Sequence, residues 1–78
     1  MYKSVIAVKP LDNFHLSLTF ENGEHRKLDM RPYLEMGIFQ ELKEEKMFNT
    51  VRISFDSIAW DNDADLDPEM LYSRSQAL

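Results

Sequence analysis

Five carboxylates stand within nine residues of the second half of the chain, in Asp61-Asn62-Asp63-Ala64-Asp65-Leu66-Asp67-Pro68-Glu69, with no basic residue among them. Asp61, Asp63 and Asp65 repeat the first three ligand positions of a calcium loop, where alternate oxygen donors wrap a hard cation. The copy then fails. Its sixth position, which needs a glycine for a sharp turn, is Leu66, and its twelfth, which needs a bidentate glutamate, is Tyr72. Asp61, Asp63 and Asp65 are candidates for a weak surface calcium or magnesium site at most, and no cofactor is expected. The competing reading is a helix start, with Asp67 as N-cap and Glu69 beside the positive end of the helix dipole.

A second chemistry is general acid–base work by His15 and Asp29, which the hairpin register argued below sets opposite each other. A histidine oriented by a carboxylate can take a proton. Ser17 follows on the same face, so a Ser–His–Asp set can be drawn. On a flat strand face, however, side chains stand out from the sheet and do not converge in a pocket. The pair reads better as a cross-strand polar contact, and no catalytic residue is assigned. The chain has no cysteine, which excludes disulfides, thiolate chemistry and cysteine-ligated zinc. Its two histidines, His15 and His25, show no ligand spacing, and its two glycines, Gly23 and Gly37, are too far apart for a phosphate loop.

Whatever positions these groups must fit into 78 residues, which is one domain spanning 1–78. A chain this short buries only about 60% of the surface its unfolded form exposes, so most large apolar residues are needed for the core. Tyr33 and Tyr72 are the aromatics expected to keep a hydroxyl at the surface. The net charge is −5 and unevenly placed: residues 1–40 carry five basic and five acidic side chains, residues 41–78 four and nine. Nucleic-acid binders show the reverse, a basic patch that releases counterions from phosphates, so direct nucleic-acid binding is not expected. No run of 18 apolar residues exists, and the N-terminal stretch Met1 to Pro10 is interrupted too soon to be a signal peptide. A cytoplasmic location without membrane contact is expected.

Ser4 to Lys9 reads as a first strand and Leu11-Asp12-Asn13 as its turn. Phe14, Leu16, Leu18 and Phe20 alternate with His15, Ser17 and Thr19 in strict period two. Glu21-Asn22-Gly23 makes a hairpin into a return strand over Glu24 to Met30. A three-residue loop with Gly23 left-handed pairs Phe20 with Glu24, Leu16 with Leu28 and His15 with Asp29, keeping apolar residues on one side; a one-residue slip would not. Pro32 and Gly37 bracket one short helical turn, and Ile38 to Glu45 predicts a second short helix. Met47 and Phe48 should dock on the sheet. Val51, Ile53 and Phe55 predict a half-buried strand, and Ile58 and Trp60 a short last one. Asp67-Pro68 starts a terminal helix running to about Gln76, with Leu66 and Leu71 as a hydrophobic staple.

Four pieces of the chain resemble the bacterial family named domain of unknown function 2442 (DUF2442): Leu18 to Glu24; Leu28-Asp29-Met30; Phe39 to Phe48 leading into Val51; and Ile58-Ala59-Trp60 followed by Asp65 to Tyr72. The last is the most specific, and the family often has glycine where Asp63 stands. The resemblance implies an α+β fold of about five strands in the order β-β-β-α-β-β-α, mainly antiparallel, with a short helical crossover and a C-terminal helix. It implies no reaction. Similar domains occur alone, ahead of a helix-turn-helix segment, or encoded beside another small open reading frame in a toxin–antitoxin-like arrangement. Little chain follows Leu71-Tyr72, so a regulatory role is expected to pass through a partner. The expectation is a non-catalytic interaction module that binds another small protein, or itself, through a sheet edge and the acidic C-terminal half. Trp60, Asp65, Asp67, Glu69 and Tyr72 are its candidate interaction residues. The alternatives are a small metal-dependent or His/Asp enzyme, and the N-terminal-type domain of a transcriptional regulator lacking its helix-turn-helix.

Overall fold

The computed structural model describes residues 4–78, so Met1, Tyr2 and Lys3 of the N-terminal stretch lie outside the described residues. The strands are β1 (Val5–Leu11), β2 (His15–Phe20), β3 (His25–Asp29), β4 (Arg52–Ser54), β5 (Ser57–Ala59), β6 (Asp65–Leu66) and β7 (Gln76–Ala77). Between β3 and β4 run two 3-10 segments, Arg31–Tyr33 and Gly37–Lys43, and α1 (Glu45–Phe48); α2 (Pro68–Arg74) precedes β7. Every pairing is antiparallel, so the fold is α+β as expected. The strands form two sheets, β1-β2-β3-β7 and β4-β5-β6, and the two-residue strands β6 and β7 add to the five anticipated.

The hairpin register follows from the alternation. The Phe20 N–H donates to Glu24 O (2.9 Å) and the Gly23 N–H to Phe20 O (2.9 Å). Gly23 sits at φ +89°, where a side chain is disfavoured. Leu16 pairs with Leu28, His15 with Asp29 and Ser17 with Lys27. Leu16, Leu18, Phe20, Leu28 and Met30 are all buried, so a one-residue slip would turn this apolar face to water.

The same loop geometry recurs in the acidic run. The Trp60 N–H donates to Ala64 O (2.9 Å) and the Asp63 N–H to Trp60 O (3.0 Å). The middle residue plays the same part in both loops: Asn62 Oδ1 accepts from the Ala64 N–H (3.0 Å), as Asn22 Oδ1 accepts from the Glu24 N–H (3.1 Å). Asp63 holds the left-handed place of Gly23, at φ +70°. An aspartate therefore makes this bend, a residue that tolerates this backbone region.

Three local expectations are corrected. The strand drawn through Val51, Ile53 and Phe55 stops at Ser54, because Ser54 pairs with Ser57 and leaves Phe55-Asp56 as the turn. Phe55 is 99% exposed at φ +56°, and Ile53 is 39% exposed on β4, which among the described residues is an edge strand of its sheet. The terminal helix ends at Arg74, not near Gln76. Ser75 is extended, and Gln76 and Ala77 pair with Lys27 and Arg26 of β3. The crossover is mostly 3-10 rather than α-helical, and Gly37 (φ +48°) opens its second segment instead of only ending the first.

The core lies between the inner face of the larger sheet, the crossover, β5 and α2. It gathers Val5, Leu16, Leu18, Phe20, Leu28, Met30, Leu34, Leu42, Phe48, Ile58, Trp60, Ala64 and Leu71. Phe48 docks as expected, edge-on to Phe14 at 5.2 Å between ring centres. The helix start is also as expected. Asp67 caps α2 by accepting from the Glu69 N–H (2.9 Å), Pro68 is the first helical residue, and Leu66 and Leu71 both belong to the core packing. Among the described residues no helix is long and apolar enough to cross a membrane.

Candidate functional site

The outer face of the larger sheet carries the His15–Asp29 pair. His15 Nε2 lies 3.7 Å from Asp29 Oδ2, while Nδ1 is 2.9 Å from Asn13 O. A backbone carbonyl can only accept, so Nδ1 donates to Asn13 O, and Nε2 faces the Asp29 carboxylate. Asp29 itself is committed elsewhere. Arg31 reaches it through Nε (3.0 and 3.2 Å), Nη2 (2.8 Å) and its backbone N–H (2.9 Å). These Arg31 hydrogen bonds, helped by the nearby charges of His15 and Arg31, hold the Asp29 carboxyl at about 2, against an ordinary 3.8. The guanidinium is pushed up in return. Ser17 is not among the groups lining the groove beside this pair, so the structure does not assemble the Ser–His–Asp set.

That groove holds about 360 Å³ and is lined by His15, Lys27, Asp29, Pro32, Tyr33, Arg74 and Gln76. The low Asp29 value has a direct consequence for acid stability. Its charged form is favoured in the folded chain, so that contribution is complete above the ordinary value of 3.8 and is lost as pH falls toward about 2. The carboxyl is more than a third exposed, which limits the effect to roughly 1 kcal/mol after solvent screening. Asp29→Asn should be less stable at pH 6 by that amount and should match the parent near pH 2, as read from urea melts across pH.

The acidic run is spread out and does not gather around one point. Asp61 turns to Arg52 (Nη1–Oδ1 3.0 Å), Asp63 is exposed in the bend, and Asp67 is used as the cap of α2. Among the described residues no three His, Asp or Glu side chains could hold a metal together, so Asp61, Asp63 and Asp65 do not form the candidate calcium site. Asp65 and Asp67 instead line an open depression of about 470 Å³ with Ser54, Phe55, Asp56, Ser57, Ile58, Leu66 and Pro68. Its lining has three carboxylates and no basic side chain. Glu69 is exposed on the first turn of α2, outside this depression.

Two candidate interaction residues belong to the interior. Trp60 is fully buried, its indole N–H donating to Phe48 O (3.1 Å) and its ring edge-on to Phe39 at 6.3 Å. Fully buried, it presents nothing to a partner. Tyr72 is half-buried. Its hydroxyl donates to Glu24 Oε2, its ring packs edge-on to Phe20 (5.2 Å), and the Arg26 guanidinium lies 4.5 Å from its centre. Sharing that proton holds the Glu24 carboxyl below its ordinary value and pushes the Tyr72 phenol up. Sequence reasoning missed Phe55, which alternation assigned to a strand, and Lys27 and Arg74, whose convergence depends on β7. Arg31 carried a local signal, two residues after Asp29.

No curated protein and no solved structure matches this chain. A family model described as "Protein of unknown function (DUF2442)" matches residues 5–77, nearly the whole chain, and the chain belongs to that family.

Proposed function

We propose that this chain is a non-catalytic interaction module that docks a cationic, partly apolar face of a small partner protein. The docking surface is the depression between the β4–β5 turn and the β6–α2 junction. The observation that carries the reading is Phe55. It is almost wholly exposed and occupies a left-handed backbone position in a two-residue turn. Such a position favours glycine or asparagine, and strain there for a bulky residue is about 1–2 kcal/mol. An exposed ring adds no burial in return. Phe55 therefore costs the fold something, and seating in a partner would offset that cost.

The surroundings define what such a partner brings. Asp56, Asp65 and Asp67 line the depression beside Phe55, Leu66 and Pro68. Arginine or lysine side chains flanking an apolar patch suit that lining. Strand addition at β1 suits less well, because Pro10 lacks the N–H that a pairing strand would use. His15 favours a binding role over an enzymatic one, since acceptors face both ring nitrogens.

The first partner to test is the product of an adjacent small open reading frame, one of the three arrangements that the family resemblance implies. A complex should form at micromolar concentration and weaken with salt. Asp65→Lys should weaken it further. Phe55→Gly should abolish the complex while leaving the free chain about 0.5–1 kcal/mol more stable, because glycine relieves the left-handed strain. No complex at low salt, or a complex indifferent to Phe55→Gly, would count against the reading. Concentration-dependent self-association lost in Phe55→Gly would make the partner a second copy.

A further inference from the structure

The chain carries fourteen acidic and nine basic side chains. Four of the eight described lysines and arginines pair with a carboxylate: Arg26 with Glu24, Arg31 with Asp29, Lys43 with Glu35 and Arg52 with Asp61. Lys9, Lys27, Lys46 and Arg74 form no ion pair among the described residues, and of these Lys27 and Arg74 line one groove on the outer face of the larger sheet. They come from different elements, Lys27 from β3 and Arg74 from the last turn of α2. The pairing of Gln76 with Lys27 brings the end of α2 back to that face.

Only one carboxylate, Asp29, stands in the lining, and its oxygens are taken by Arg31. The Gln76 side chain adds an amide, and Pro32 with Tyr33 adds an apolar wall. The groove's volume of about 360 Å³ falls near the lower end of the range for small-ligand sites. The geometry points to an oxyanion site here, in which the phosphate group of a small ligand sits between Lys27 and Arg74. Phosphate fits this set better than a planar carboxylate. It presents three oxygens in different directions to a point charge, a guanidinium fork and an amide, and it brings up to two charges. The wall of Pro32 and Tyr33 leaves room for an organic body on that phosphate. This site is separate from the acidic depression beside Phe55 and stands or falls independently of the partner proposed above.

The test is a titration of the full-length 15N-labelled chain at low ionic strength with inorganic phosphate, followed by amide shifts. A parallel titration with sodium chloride at matched ionic strength is the control. Saturable shifts at Lys27, Asp29, Tyr33 and Gln76 are expected, with a dissociation constant on the order of 1 mM. The double substitution Lys27→Gln and Arg74→Gln should weaken binding at least about tenfold while leaving amides of the opposite face in place. A repeat with phenyl phosphate separates the two sources of the group. Tighter binding than inorganic phosphate, with larger shifts at Tyr33, assigns a phosphorylated small molecule, and equal binding assigns the free ion. Shifts no different from chloride, or unchanged by the double substitution, overturn the site.

Discussion

Trp60→Ala is expected to leave little folded chain at 37 °C. The indole is fully buried, packs on Phe39 and Phe48, and donates its N–H to Phe48 O. Removing it deletes the largest fully buried side chain of the core, at about 3–5 kcal/mol for the lost packing and the cavity. The Phe48 carbonyl also loses its indole donor, at about 1 kcal/mol more. A domain of this length has roughly 4–12 kcal/mol in total, so the loss is a large fraction of it. Trp60→Phe separates the two contributions. It keeps an aromatic ring between Phe39 and Phe48 and gives up the hydrogen bond and part of the volume, for about 1–3 kcal/mol. Trp60 is the chain's one tryptophan, so the melts are followed by far-ultraviolet circular dichroism rather than fluorescence. A Trp60→Ala chain melting within about 1 kcal/mol of the parent would show that the indole does not organise the core.

The second large effect is expected at Arg26. Its side chain lies on the inner face of the sheet, paired across from Leu18, and is only 15% exposed. From there it donates to Ser75 Oγ (2.8 Å), Ser75 O (2.6 Å) and Glu24 Oε1 (3.0 Å), and it covers the Tyr72 ring. One guanidinium thus ties the end of α2 to β3 and sets the point where the helix stops and β7 begins. Arg26→Met keeps much of the stem but leaves the Ser75 carbonyl and the Glu24 carboxylate short of donors. A loss of about 2–4 kcal/mol is expected, together with faster hydrogen exchange at Leu78, whose N–H bonds His25 O (3.0 Å). If Arg26→Met lost stability while the Leu78 amide stayed protected, β7 would be held by something other than this clamp. Tyr72→Phe should give a smaller loss with an alkaline signature. The phenol's pKa is raised in the folded chain, so its contribution is complete below the ordinary value of 10.0 and disappears as pH rises through the folded value. Tyr72→Phe should flatten that alkaline limb.

What was legible in the sequence shares one property: it depends on neighbours along the chain. Alternation over Phe14 to Phe20, with a loop ending at Gly23, determines the β2–β3 register, because only one register keeps Leu16, Leu18 and Leu28 on a common face. Asp67-Pro68 determines the start of α2, because a cap and a fixed φ act within one turn. The opposition of His15 and Asp29 follows from that register. What the pair does was not legible in full, because the Asn13 carbonyl and the Arg31 fork decide it.

The tertiary structure decided the rest, through contacts between residues far apart in the chain. Alternation carried Phe55 into a strand, and the pairing of Ser54 with Ser57 turned it outward. Trp60 is of a residue type that anchors interfaces, and packing on Phe39 and Phe48 holds it in the core. The register places Arg26 across from Leu18 on the inner face, but its partner there was not legible, because Ser75 lies 49 positions away in sequence and close by in space. The two candidate binding surfaces arise the same way, one where the β4–β5 turn meets the start of α2 and one where the end of α2 returns to β3. Local propensity sets each element, but a surface made from two elements depends on a packing that neither segment specifies alone.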